Sequence, residues 1–388
     1  MAELSSGTGN LATLHWTGKA YFGSVVEAHG GSPKERIRNL FRYEESLIAA
    51  VLAGMRGTLC RNDVPEPSEI ISSAGSGQEY RVALPFLAGM EELEPEAVLR
   101  LSDKMVRQAL AFRYCSPALR LRLQDSAWYG TLLDRCPETV ADVLVRCAAT
   151  ILRSGKHDYS IVHQLLGDDH ARVARHAAMP LLRGFPLRCT AAQLQSLDDL
   201  LHAAHRYADR RSFLGLIADK LSRPSMTVAQ RVHWLAMGVI FLPHRYLDPL
   251  SDFVGRRERR LSHLAEFLRS AGPTIHELEV PALKYYISLL GGTLGRWFSH
   301  DSDILATESA SVAPCVYEMI QRLAALPDPE ASAALDELAT DEALSSWKLN
   351  LATARDRQRV VRRDALHRHS QRRPDLRDLA RWSTREPG

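Results

Sequence analysis

The stretch "LGDDHARVARHAAMPLLRGFP", residues 166–186, decides how the chain reads. Asp168 or Asp169 can accept hydrogen bonds from the first free N–H groups of a helix, and their charge suits its positive end. Val173, Ala177 and Leu181 then recur at helical spacing and line one face. Gly184 and Pro186 close the segment, because glycine leaves the helical conformation easily and proline cannot continue it. A stripe of such small side chains lets a neighbouring helix approach closely.

From Glu94 onward the same rhythm returns as a succession of helical patterns of about 12 to 20 residues, broken at proline and glycine. A cap, a small-residue stripe and a proline-marked exit are how HEAT-type helices look, although the repeat length is not constant. The expected fold is all-α, an irregular HEAT-like α-solenoid of stacked helix pairs closed by a long C-terminal amphipathic helix. Four segments follow: a small N-terminal element with a flexible start (1–62), a linker loop (63–79), the helical repeat domain (80–371) and a basic tail (372–388). Within the first, Leu47, Val51 and Leu52 predict a helix over 42–55. "DVPEPSEIISSAGSGQ", 63–78, reads as a loop from its proline, glycine and serine, and the alternation of Tyr80, Val82 and Leu84 as one short strand.

The cleanest pattern is the last. Leu344, Trp347, Leu351, Ala354, Gln358, Val361 and Ala365 step by three and four, which places them on one seam. Thr340 can cap this helix, with Asp341 and Glu342 in its first turn. Outside the seam stand Arg355, Arg357, Arg359, Arg362 and Arg363, followed by Arg372 and Arg373. They form a basic surface that reads first as a solvated face and second as a site for nucleic acid or an acidic partner.

Bulk composition excludes more than it selects. The 388 residues are 45% hydrophobic, 24% charged and only 7% aromatic, which suits helices built on Leu and Ala. Net charge is +3, yet from Arg355 onward eleven Arg face five acids, a local +6 against −3 for the rest. Six cysteines without a C-x-x-C pair suggest neither a disulfide framework nor a zinc ribbon. No segment reaches the roughly 18 apolar residues that span a bilayer, and the N-terminus lacks the features of a signal peptide. A cytoplasmic location without membrane contact is the default expectation.

Few constellations carry chemistry. On "TAAQLQSLDDLLHAAHRYAD", Asp198, His202, His205 and Asp209 fall beside the apolar stripe in one narrow strip. Imidazoles and carboxylates there are candidate metal ligands and would support a metal-dependent enzyme as a distant alternative. Two Asp–His pairs on a solvated flank are the first reading of the strip, ahead of a metal site. "TLHWTGKA", 13–20, lacks the leading glycine and the final hydroxyl of a phosphate-binding loop. "GGTLGR", 291–296, reads as a helix C-cap or turn, and "GRRERR", 255–260, as a helix start or loop. No catalytic residue and no cofactor are predicted.

"AQRVHWLAMGVIFLP", 229–243, is capped by Thr227 with Gln230 and is apolar on both faces, as an inner helix would be. Trp234, Leu235 and Val239 are its expected core, and His233 a packed or hydrogen-bonded histidine. This region also carries a resemblance. Gln230, Arg231, Trp234, Leu235, Gly238, Pro243, Tyr246, Leu250 and Phe253, continued by Arg260, Leu264 and Phe267, resemble the C-terminal helical region of large bacterial NACHT/STAND-type NTPases. A second block, with Leu323, Pro327, Leu335, Leu338, Leu344, Trp347, Gln358, Arg363 and Asp364, resembles the end of those proteins. The resemblance implies a non-enzymatic interaction or sensor module whose partner is a protein, an NTPase or a trigger, in a setting such as antiphage defence. Because the phosphate-binding loop is missing, it does not imply ATP hydrolysis by this chain.

Overall fold

The computed structural model describes residues 2–25, 31–74, 76, 80–115, 126–155, 159–255, 257–270, 274–297 and 303–371. Among these the regular structure is entirely helical, with no strand. The chain divides into two compact units, Met1–Leu216 and Ile217–Gly388.

Unit 1 contains α1 (Ala2–Ser5), α2 (Leu11–Tyr21), α3 (Pro33–Leu40), α4 (Glu45–Gly57), α5 (Pro67–Ser73), α6 (Ala83–Glu91) and α7 (Pro95–Val98). It continues with α8 (Asp103–Cys115), α9 (Ala127–Arg135), α10 (Pro137–Arg153), α11 (Tyr159–His163), α12 (Ala171–Gly184) and α13 (Ala191–Tyr207). The boundary falls within α14 (Arg210–Leu221). In unit 1, α4 packs on α6, α6 on α8, α8 on α10, α10 on α12 and α12 on α13.

The reason lies in the stripes. Helix α10 starts with Pro137 in its first turn, where the missing N–H costs nothing, and buries Val140, Val143, Leu144, Cys147 and Ile151. Each fully buried aliphatic side chain of this kind contributes about 1.5–3 kcal/mol. On α12, Val173, Ala177 and Leu181 are buried as the sequence pattern requires. The start of α12 differs from expectation. A 3-10 turn, Asp168–His170, precedes it, and Asp168 accepts a hydrogen bond from the Tyr207 hydroxyl (3.0 Å) instead of capping the helix.

Four readings of the N-terminal third meet a different local structure. The segment expected to start flexibly carries α1 and α2, and α1 lies on α4. Gly54 makes that approach possible, because a Cβ there would overlap the Leu4 carbonyl. The expected loop 63–78 contains α5, which begins with Pro67 at its first position and Glu69 accepting from the Glu66 N–H (3.1 Å). Proline here marks a helix start, not a break. The expected strand at Tyr80, Val82 and Leu84 leads instead into α6, where every residue from Ala83 to Met90 is buried. An all-round apolar helix has no period to read. The helix expected over 42–55 begins at Glu45, after Arg42 and Tyr43 turn the chain through the left-handed region (φ 49° and 65°).

Unit 2 contains α15 (Val228–Phe241), α16 (Pro243–Val254), α17 (Glu258–Ser270), α18 (Thr274–Glu277), α19 (Val280–Trp297), α20 (Asp303–Ala325), α21 (Pro329–Thr340) and α22 (Lys348–Gln371). Helix α15 packs on α16 and α17, α19 on α20, and α22 on α20 and α21. Thr227 caps α15, and Trp234, Leu235 and Val239 are buried, as expected of an inner helix. No described helix is long and apolar enough to cross a membrane.

The terminal seam is realised almost residue for residue. Leu344, Trp347, Leu351, Ala354 and Gln358 are buried, while Val361 and Ala365 are half-buried. Its cap is corrected: Thr340 ends α21, and Asp341 instead accepts from the Ala343 N–H (2.9 Å) to start a 3-10 turn, Glu342–Trp347, before α22. Gly291 and Gly292 are also reassigned, from a cap to the interior of α19. A Cβ on Gly291 would come within 2.7 Å of the Leu344 side chain, so glycine is the residue that admits the seam.

Candidate functional site

A cleft of about 820 Å³ opens in unit 1 between α9, α11 and the two 3-10 turns that precede α12. Tyr129, His163, Gln164 and His170 form its polar wall, and the carboxylates of Asp134 and Asp169 stand exposed on its rim.

The wall is built on Tyr129, which α9 holds 1% exposed. Its hydroxyl lies 2.9 Å from the Tyr114 hydroxyl and 3.0 Å from His170 Nε2, with Gln164 Oε1 at 3.4 Å. The Arg113 guanidinium sits over its ring, 3.7 Å from the centroid, in a place shielded from water where a cation–π contact is worth about 2 kcal/mol. Burial, with Arg113 adding to it, pushes the His170 pKa down to about 4. The Tyr129 hydroxyl has one proton to direct at Gln164 Oε1 or at His170 Nε2, and with that proton so used Tyr114 is the donor to Tyr129. Burial holds both phenols above their ordinary pKa, so they remain donors.

A second polar pair adjoins the wall. Asp199, fully buried on α13, faces His163 Nδ1 at 3.5 Å. Burial raises its pKa to about 6, against the pull of His163. Elsewhere in unit 1, Glu91 accepts from Trp128 Nε1 (2.9 Å), and burial raises its pKa as well.

The metal-ligand strip predicted on α13 does not assemble as one surface. Asp198 and His202 are buried, His205 is half-buried, and Asp209 lies beyond the helix end. Asp209 instead accepts from the Ser212 N–H (2.8 Å) at the start of α14. Among the described residues no group of three or more His, Cys, Asp and Glu could hold a metal ion.

On the basic surface, Arg355 pairs with Asp336 (2.6 Å), Arg357 donates to Gln321 (2.9 Å) and Arg359 pairs with Asp356 (3.2 Å). Arg362 and Arg363 are exposed, and Arg372 and Arg373 lie outside the described residues.

In unit 2, Arg231 and Gln358 hold backbone in place. Arg231 donates to the carbonyls of Leu221 and Arg223, closing the connection between α14 and α15. Phe253 lies beneath the guanidinium of Arg260, 4.2 Å from its ring centroid, with Arg231 at 5.7 Å. Gln358, 1% exposed, donates to the carbonyls of Leu326 and Asp328 between α20 and α21. His233 packs on the Phe267 ring with centroids 5.2 Å apart, a core histidine as expected.

Nothing in the sequence marked the cleft. Arg113 and Tyr114 come from α8, Tyr129 from α9 and His170 from the 3-10 turn before α12, and no sequence spacing connects the three elements. No protein-family model, curated protein or solved structure matches this chain.

Proposed function

We propose that this chain is a non-enzymatic helical-repeat interaction module, and that the unit 1 cleft is where it takes a basic segment of a protein partner. The observation that carries this reading is the Tyr114–Tyr129–His170 chain over Arg113. It makes the cleft wall rigid before any ligand arrives, and preorganisation of this kind lowers the cost of binding. The exposed Asp134 and Asp169 supply a rim suited to Lys or Arg. The run of packing from α4 through α6, α8 and α10 to α12 supports an irregular HEAT-like stack. The sequence likeness over residues 210–366 supports a NACHT/STAND NTPase as that partner and a role in bacterial defence.

The test is co-purification with an NTPase encoded in a neighbouring reading frame, comparing wild type with the Asp134→Asn/Asp169→Asn double variant. Both substitutions are on exposed side chains. The expected result is a complex weakened about tenfold by the double variant, the range of one to two rim charge pairs. No complex, or one indifferent to both carboxylates, overturns the reading. Salt-sensitive retention of the chain on nucleic acid would move the interaction to Arg362 and Arg363.

A further inference from the structure

Two thiols approach each other in unit 1. Cys115 is the last residue of α8, and Cys147 sits in the middle of α10. Their Sγ atoms are 3.4 Å apart, across the packing contact between the two helices. A disulfide needs about 2.05 Å, so the sulfurs must close by a little more than an ångström. Cys115 stands at a helix end, where a side chain can move that far without disturbing a whole turn.

The two thiols are unequal in access. Cys147 is completely buried on the apolar stripe of α10, while Cys115 is half-buried. An oxidant reaches Cys115 first, and Cys147 is placed to resolve it. Cys315 in unit 2 offers the contrast: it is buried, and burial pushes its thiol up to about 12, which leaves it inert.

We propose that Cys115 and Cys147 are a redox modification site, closing to a reversible intramolecular disulfide with a small hydroperoxide as oxidant. With hydrogen peroxide, the Cys115 thiolate attacks one peroxide oxygen and the O–O bond breaks. The departing hydroxide takes up the thiol proton and leaves as water, and Cys115 becomes a sulfenic acid. Cys147 Sγ then attacks that sulfur. The S–S bond forms as the S–O bond breaks, and the second hydroxide leaves as water with the Cys147 proton. Two thiols are oxidised, and one peroxide is reduced to two waters.

The position gives the bond a consequence. Tyr114, next to Cys115, heads the hydrogen-bond chain through Tyr129 to His170. Drawing the end of α8 toward α10 acts on the donor at the head of the cleft wall. The modification itself is independent of what the cleft binds.

The experiment treats the full chain, in a Cys60→Ser background that removes the exposed thiol, with a few equivalents of hydrogen peroxide. Alkylation in denaturant, intact mass and peptide mapping follow. A cross-linked peptide joining Cys115 to Cys147, a mass loss of about 2 Da and full reversal by dithiothreitol are expected. In Cys115→Ser, Cys147 is expected to stay alkylatable at the same dose. Sulfinic acid at Cys115 without a cross-link overturns the proposal, as does a disulfide between chains or to another cysteine. Two intact thiols after treatment, or oxidation of Cys147 in the Cys115→Ser variant, overturn it equally. The wild-type peptide map decides the matter even where a variant folds poorly.

Discussion

Two groups of polar side chains, one in each unit, serve different ends. In unit 2, Gln358 and Arg231 point at backbone carbonyls and fasten the connections between helices. In unit 1, Tyr114, Tyr129 and His170 point at one another and face a cleft. A donor that fastens the protein's own backbone is not available to a ligand. A wall whose members satisfy each other is rigid yet still borders open space. The contrast teaches that hydrogen bonding alone does not mark a site; the direction of the bonds does.

Four measurements can break or sharpen this contrast. The largest effect is expected from Gln358→Ala, which removes a buried side chain and strands two carbonyls. It should cost about 3 kcal/mol by urea denaturation, with faster amide exchange in α21 and none gained around α9. A loss of protection spread evenly over both units would undo the distinction.

Second is the pH dependence of unit 1. His170, with its pKa pushed down to about 4 in the fold, binds a proton more readily when unfolded. Its contribution is therefore intact above its ordinary value near 6.5 and is lost as pH falls toward 4. Asp199, raised to about 6, acts with the opposite sign between its ordinary value and 6. Comparing wild type with His170→Gln cancels Asp199. Between pH 7 and 4.5 the wild type should lose about 2 kcal/mol more than the variant. Equal losses would mean that His170 is not held neutral.

Tyr129→Phe is a smaller step. It deletes the hydroxyl that joins Tyr114 to His170 but keeps the ring under Arg113, and about 1 kcal/mol is expected from thermal or urea unfolding. A cost above 3 kcal/mol would show that the hydroxyl fastens the fold as Gln358 does. Last, Arg359→Ala removes an exposed pair with Asp356 and should change stability by less than about 0.5 kcal/mol.

Legibility in the sequence follows the same division. The seam from Leu351 to Ala365 and the inner helix with Trp234 were readable because each lies on one helix, where period alone fixes the face. Readings failed where tertiary contact overrides local preference. Gly291 belongs inside α19 because Leu344 needs the space, and Pro67 opens a helix within a run that looked like a loop. Helix α6 is buried on every side, so its residues looked like a strand. Asp209 left the predicted strip because α13 ends before it. The cleft was illegible for a further reason: Tyr129 and His170 stand 41 residues apart, and only folding makes them neighbours.

The Gln358 clamp also sets an order of events in time. The carbonyls it serves, at Leu326 and Asp328, precede it by 32 and 30 residues. A chain made from its N-terminus forms that connection long before the amide that satisfies it exists. Until α22 arrives, water must hold those carbonyls, and α21 is anchored by its apolar side and by the Lys284–Glu337 pair with α19. Unit 2 is thus finished from its C-terminal end, and a chain cut before residue 358 should keep α21 in place but unlocked.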